Sequence, residues 1–105
     1  MISKEILNLK QFKNIINNKT HLILIYFYAS WCHTCVKQEH IIENNLCNNN
    51  IIFYKVNIDN ACELVTDLDI TTVPLIHIYS NNNLKEVFST NHNSLISIIK
   101  SKILI

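Results

Sequence analysis

Glycine and arginine are both absent from this 105-residue chain, and proline occurs once, at Pro74. Without glycine there is no Gly/Ser-rich linker, and the sharp turns fall to asparagine, the other residue that readily enters left-handed backbone conformations. Nine lysines against eight acids leave a formal charge of only +1, which gives no electrostatic footprint for nucleic acid or an anionic membrane. Long hydrophobic runs are missing too. The longest, Leu22 to Ala29, is eight residues, far short of a membrane span. The opening MISKEILNLKQF lacks the basic-then-apolar layout of a secretory signal, so a cytoplasmic chain is expected. With no internal repeat and no block of charge, one domain over residues 1–105 is expected.

What the chain does have is apolar mass. Hydrophobic residues make up 49% and charged residues 16%, which excludes a disordered polyelectrolyte. At this length a single core buries about two-thirds of the unfolded surface, enough to fold without staples. Asparagine and isoleucine supply 35 residues between them, and lysine is always chosen over arginine. That drift is the mark of AT-rich coding and bears on the source rather than on the chemistry. The runs Asn48–Asn50 and Asn81–Asn83 fall between periodic segments and read as turns.

Glu5–Leu9 reads as a short strand or a helix start, and Phe12, Ile15 and Ile16 follow at helical spacing before the polar Asn17–Thr20. His21–Tyr28 is apolar nearly throughout and rich in β-branched and aromatic residues, which predicts a central strand buried on both faces. Cys32–Asn50 turns helical, with Cys35, Ile42 and Leu46 on one face. Ile51–Ile58 is a second core strand, and Asn60–Leu68 a short amphipathic helix carrying Leu64, Val65 and Leu68 inward. Val73–Tyr79 is a strand interrupted at its start by Pro74. The asparagine turn joins it to Leu84–Phe88 as a hairpin, and His92–Ile103 closes as a helix. The order β-α-β-α-β-α-β-β-α, or the same without its first strand, predicts an α/β fold. Its mixed central sheet has four to five strands and helices on both faces.

Cys32-His33-Thr34-Cys35 carries the chemistry. A buried strand ends at Tyr28, the chain turns through Ala29-Ser30-Trp31, and Cys32 opens a helix. Unpaired N–H groups and the positive end of the helix dipole favour a thiolate there. Cys35 is three residues on, within bonding reach. A structural zinc site needs four ligands, and no second CxxC or HxxxH exists to supply them. Zinc through Cys32 and Cys35, or two inert buried cysteines, stand as the alternatives to a redox pair.

The run from Ile23 to Cys35, ILIYFYASWCHTC, resembles the active-site strand and helix of the thioredoxin family. Lys55-Val56-Asn57-Ile58-Asp59 is similar to that family's third strand, and Ile70-Thr71-Thr72-Val73-Pro74 to the loop ending in its cis-proline. These anchors span nearly the whole chain, Ile6 to Ile103. The resemblance implies a thioredoxin fold and a thiol–disulfide oxidoreductase acting on protein disulfides, with no bound cofactor and no metal. Cys32 would be the exposed nucleophile and Cys35 the resolving sulfur beneath it. Trp31 would shield the site, and Val73 before Pro74 would pair with a substrate strand. A flavoprotein reductase or a glutathione system would supply electrons, and a monomer without nucleic-acid or membrane partners is expected.

Several residues depart from that pattern. His33-Thr34 replaces the usual Gly-Pro, and an imidazolium beside Cys32 would make the couple more oxidising. Tyr26 stands where the family carries a buried acid thought to receive the proton of the second cysteine. A phenol titrating at about 10 is a poor base at neutral pH, so slower resolution is expected. Lys55 loses that acid as a mate and is expected to turn toward solvent or toward Tyr26. Glu39, one turn after Cys35, is the substitute base to test against a plain surface carboxylate. Ser89 replaces a groove glycine and His40 a helix-kinking proline. Cys47 and Cys62 read as small apolar residues, with Cys62 the candidate regulatory thiol. His21, His77 and His92 read as scattered surface or strand residues, and the Asn18-Lys19-Thr20 sequon as accidental. Tyr26 and Ser89 together sustain one rival reading, a redox-silent interaction module.

Overall fold

The computed structural model describes residues 4–45 and 51–89. Eight elements lie within them: β1 (Lys4–Glu5), α1 (Leu9–Ile16), β2 (Leu22–Tyr28), α2 (His33–Asn45), β3 (Ile51–Asn57), α3 (Cys62–Asp67), β4 (Leu75–Ser80) and β5 (Asn83–Ser89). The helix expected over 92–103, Leu46, Cys47, His92 and the turn at 48–50 lie outside the described residues.

The five strands form one sheet in the order β1-β3-β2-β4-β5. β1, β3 and β2 run parallel, while β4 and β5 are antiparallel additions at the other side. Central β2 divides the core as its apolar run predicts. Leu24 and Tyr26 face one cluster with Cys35 and Ile42 of α2, Phe53 of β3, and Ile76 and Ile78 of β4. Ile23, Ile25 and Phe27 face the other, with Phe12 of α1, Val56 of β3 and Leu64 of α3. Helices therefore cover both faces, and each fully buried Leu, Ile or Phe contributes about 1.5–3 kcal/mol.

Local chemistry sets the boundaries. Asn8 caps α1, its Oδ1 accepting from Gln11 N at 2.9 Å, while Gln11 Oε1 accepts from Leu7 N at 2.8 Å. Asn18 Oδ1 gathers Thr20 N and His21 N, both at 2.9 Å, and so turns the chain from α1 into β2. Where glycine would normally sit, Asp69, Asn81 and Asn82 take φ of 58°, 50° and 71°. Asn81 and Asn82 form the two-residue turn of the β4–β5 hairpin, so β5 begins at Asn83, one residue before the predicted Leu84. Asp69 ends α3 in a Schellman arrangement: its own N–H reaches Thr66 O at 3.2 Å and Ile70 N reaches Val65 O at 3.0 Å. The chain is thereby aimed into the 71–74 segment. β4 begins at Leu75 rather than Val73, because proline has no N–H to offer the ladder. Among the described residues no helix is long and apolar enough to cross a membrane.

Candidate active site

β2 ends at Tyr28, and a turn closed by Cys32 N donating to Ala29 O at 3.1 Å places Cys32 immediately before α2. Cys32 and Cys35 are joined as a disulfide with their Cα atoms 5.3 Å apart. Cys32 Sγ accepts the Cys35 N–H at 3.2 Å, so the sulfur occupies the N-cap role that Ser or Asp fills elsewhere. In the dithiol state that N–H and the helix dipole favour a charge on the Cys32 sulfur. The two sulfurs differ in access. Cys35 is 1% exposed within the Leu24–Tyr26–Ile42–Phe53–Ile76 cluster, whereas Cys32 lies partly exposed at its edge.

The rest of the site is held by a polar chain running across the strand ends. Trp31 is 66% exposed, yet its Nε1 donates to Asp59 Oδ2 at 3.0 Å. Asp59 N donates to Asn57 Oδ1 at 2.9 Å, and Asn57 Nδ2 to Ser30 Oγ at 3.2 Å. Glu5 accepts both from Asn57 N at 3.0 Å and from the Tyr28 hydroxyl at 2.8 Å. Trp31 is thus moored from β3's end to β1. Asp59 and Asn57 belong to the quoted Lys55–Asp59 run, but sequence reasoning gave them no role; only the pairing of strand ends reveals it.

Tyr26 is fully buried, and its hydroxyl donates to Cys35 O at 2.8 Å. Burial, reinforced by the nearby Glu39 carboxylate, pushes its pKa above the ordinary tyrosine range. It is a hydrogen-bond donor under α2 rather than a base. Burial also raises Tyr28, with Glu5 and Glu39 adding to the shift. Lys55 goes neither to solvent nor to Tyr26, as its expected loss of a mate suggested: its Nζ pairs with Glu39 Oε2 at 3.1 Å and lies 5.4 Å above the Tyr28 ring. Glu39 is correspondingly a half-buried ion-pair partner, not a plain surface acid.

The Val73–Pro74 peptide is cis, and Val73 borders the same cluster as Cys32. Ser89 stands opposite Leu75, one residue beyond Pro74, at the end of β5. His33 and Thr34 are exposed on the first turn of α2, and α2 runs uninterrupted through His40. Cys62 is exposed on α3, its Sγ 3.9 Å from Asp59 O. This corrects its reading as a buried apolar residue: it opens a short helix on the solvent side. His77 is a buried β4 residue against Phe27, with Nδ1 3.1 Å from the Tyr79 hydroxyl. Among the described residues no group of three or more His, Cys, Asp or Glu side chains gathers as a metal site.

Two cysteines paired at the start of the helix that follows the central strand of such a sheet, one reachable and one buried, define a dithiol–disulfide exchange protein. The thioredoxin family model matches residues 3–101. The chain is 29% identical over 100 residues to the thioredoxin of Coprinus comatus, covering 91% of this chain and 93% of that one. It is 32% identical over 86 residues to the thioredoxin of Ictalurus punctatus, covering 78% and 80%. The crystal structure of thioredoxin from Trypanosoma brucei brucei superimposes with a TM-score of 0.87 over 99% of this chain and 93% of that one, at 23% identity. The chain belongs to the thioredoxin family and is a thiol–disulfide oxidoreductase.

Proposed function

We propose that Cys32 is the attacking sulfur and Cys35 the resolving one in the reduction of protein disulfides. The Cys32 thiolate attacks one sulfur of the substrate disulfide, forming a mixed disulfide and releasing a substrate thiolate that takes a proton from water. Cys35 then gives up its proton and attacks the Cys32 sulfur. The Cys32–Cys35 disulfide forms, the second substrate thiol leaves, and two electrons have passed to the substrate. The observation that carries this assignment is the unequal access of the two sulfurs, with the N-cap position held by the reachable one.

Trp31, Val73 and Pro74 form the docking edge: an exposed indole on one side and the bend at the cis Val73–Pro74 peptide on the other, where a substrate strand pairs. His33 and Thr34 tune the couple from the first turn of α2, while Tyr26 and Lys55 shape the space beneath it. The residues act as one domain, a monomer working in the cytoplasm, with a flavoprotein reductase or a glutathione system returning the electrons.

Dithiothreitol-driven reduction of insulin tests the reading. Cys32→Ser is expected to abolish turnover, and Cys35→Ser to accumulate a covalent mixed disulfide with insulin. Turnover surviving in Cys32→Ser overturns the assignment of the attacking sulfur; no turnover by the wild type, or a Cys32 thiol that stays neutral well above pH 9 in alkylation kinetics, leaves the redox-silent module that Tyr26 and Ser89 sustain.

A further inference from the structure

β1 contributes two residues to the sheet, Lys4 and Glu5, which pair in parallel with Tyr54 and Lys55 of β3. One more bond follows, from Ile6 N to Lys55 O at 2.8 Å, and the chain then turns toward the Asn8 cap of α1. In a strand the N–H and C=O of one residue point to the same side, and alternate residues point to the same neighbour. Asn57 therefore aims its N–H at the β1 side, as Lys55 aims its carbonyl, two residues beyond the last β1 pair. A backbone donor needs a partner there. Where a longer strand would offer a carbonyl, Glu5 Oε2 accepts that N–H at 3.0 Å, and Oε1 accepts the Tyr28 hydroxyl at 2.8 Å.

Asn57 is buried, and its side chain passes that anchorage on. Oδ1 takes the Asp59 N–H at 2.9 Å, and Nδ2 donates to Ser30 Oγ at 3.2 Å. Ser30 immediately precedes Trp31, and Asp59 Oδ2 receives the Trp31 indole N–H at 3.0 Å. The backbone and the ring of Trp31 thus both lead back to Asn57. At 66% exposure the ring has little packing of its own to hold it. An aromatic anchor fixed before docking costs less ordering when a partner closes on it, whereas a loose one weakens the encounter.

We infer that Glu5 is a positioning residue for protein substrates: its carboxylate fixes Asn57, and through Asn57 the Ser30–Trp31–Asp59 edge against which a protein disulfide docks. The inference rests on Cys32 being the attacking sulfur beside that edge. The two Glu5 bonds go to β2 and β3 rather than to the dithiol, so its effect falls on docking and not on the sulfur chemistry. A small disulfide, with no surface to lay on Trp31, does not feel it. Glutamine at this position keeps the arrangement, because its Oε1 accepts from Asn57 N and its Nε2 donates to the Tyr28 oxygen.

The test is a single-turnover oxidation of the reduced protein by insulin and, separately, by cystamine, with the remaining thiols alkylated after an acid quench and counted by mass. Glu5→Ala and Glu5→Met are expected to slow oxidation by insulin about threefold or more and to leave the cystamine rate within about twofold of wild type. Glu5→Gln is expected to keep at least about half of the wild-type insulin rate. Lys4→Ala, on the same strand, keeps all of it. The fluorescence anisotropy of Trp31, the only tryptophan, is expected to fall in Glu5→Ala and Glu5→Met and to hold in Glu5→Gln. Four outcomes each overturn the role of Glu5 and leave the dithiol reading standing: an unchanged insulin rate in the alanine and methionine variants, equal slowing with both disulfides, unchanged Trp31 anisotropy, or a glutamine variant as slow as alanine. A wild type that neither insulin nor cystamine oxidises brings down the dithiol reading itself, and the role of Glu5 with it.

Discussion

Replacing Tyr26 by phenylalanine removes one oxygen and leaves the ring against Phe53 and Tyr28. That oxygen donates at 2.8 Å to the carbonyl of Cys35 in a fully buried setting. A buried hydrogen bond of this kind contributes about 0.5–1.5 kcal/mol net, so near neutral pH the variant is less stable by about 1 kcal/mol. For a chain of this size that lowers Tm by about 4–8 °C. Alkaline pH reverses the order. The Tyr26 pKa is raised in the folded protein, so between the unfolded value of about 10 and the folded one the unfolded chain has lost a proton that the native one retains. Stability is whole below about pH 10 and declines above it, by about 1.4 kcal/mol per further pH unit for this one group. Phenylalanine escapes that loss, whereas Tyr28 and Tyr79 contribute equally to both proteins and cancel. Setting about 1 kcal/mol against the linkage gives curves that cross near pH 10.7, roughly. Urea denaturation of the oxidised protein and of Tyr26→Phe from pH 8 to 11 measures the crossing. A stability gap that keeps its sign and size up to pH 11 refutes the placement of this hydroxyl.

Tyr79, buried and pushed up to about 12, is expected to make wild-type stability fall between about pH 10 and 12, and Tyr79→Phe to flatten that alkaline limb in the same denaturation series. Burial depresses the His77 pKa, so its contribution is complete above about pH 6.5 and lost as pH falls through the folded value; His77→Phe should flatten the acid limb. His33→Gly is expected to make the couple more reducing, with about 30 mV corresponding to 1.4 kcal/mol, and equal equilibria against glutathione for both proteins remove His33 from the tuning. Asn57→Ala unties Ser30 and Asp59 together and should cost about 1–3 kcal/mol, with a shift of Trp31 emission as the local readout. Glu39→Gln is expected to slow decay of the mixed disulfide, and decay at the wild-type rate discards this carboxylate as the proton acceptor.

The strand preceding the dithiol, the helix that carries it and the asparagine hairpin are legible because each is a local signal: an apolar run, a periodicity, a turn residue. Tertiary partners are not local. Nothing in the sequence near Trp31 names Asp59, which arrives from the end of another strand. Asp69 in the left-handed region went unread because aspartate is common at the surface and its positive φ depends on the Schellman bonds around it. Gln38, fully buried on α2, carried a signal that periodicity alone offers. It stands on the Cys35–Ile42 stripe, so an inward-facing polar residue was there to be noticed.

Lys55 and Tyr26 are direct neighbours across the β2–β3 pairing, and that register explains how the site tolerates a phenol where an acid is expected. The ammonium needs a carboxylate, and position 26 no longer offers one. Glu39, one turn after Cys35 on α2, reaches down to it, at a place where both side chains keep about a fifth of their surface in solvent. The charge pair thereby moves from the buried strand to the rim, where less solvation is lost on pairing. What remains under the dithiol is the apolar cluster and a hydroxyl that donates to the Cys35 carbonyl. An apolar surround disfavours a thiolate at Cys35, while the helix N-terminus favours one at Cys32. The contrast between the two sulfurs is therefore set here by burial against helix geometry, with no acid on the strand.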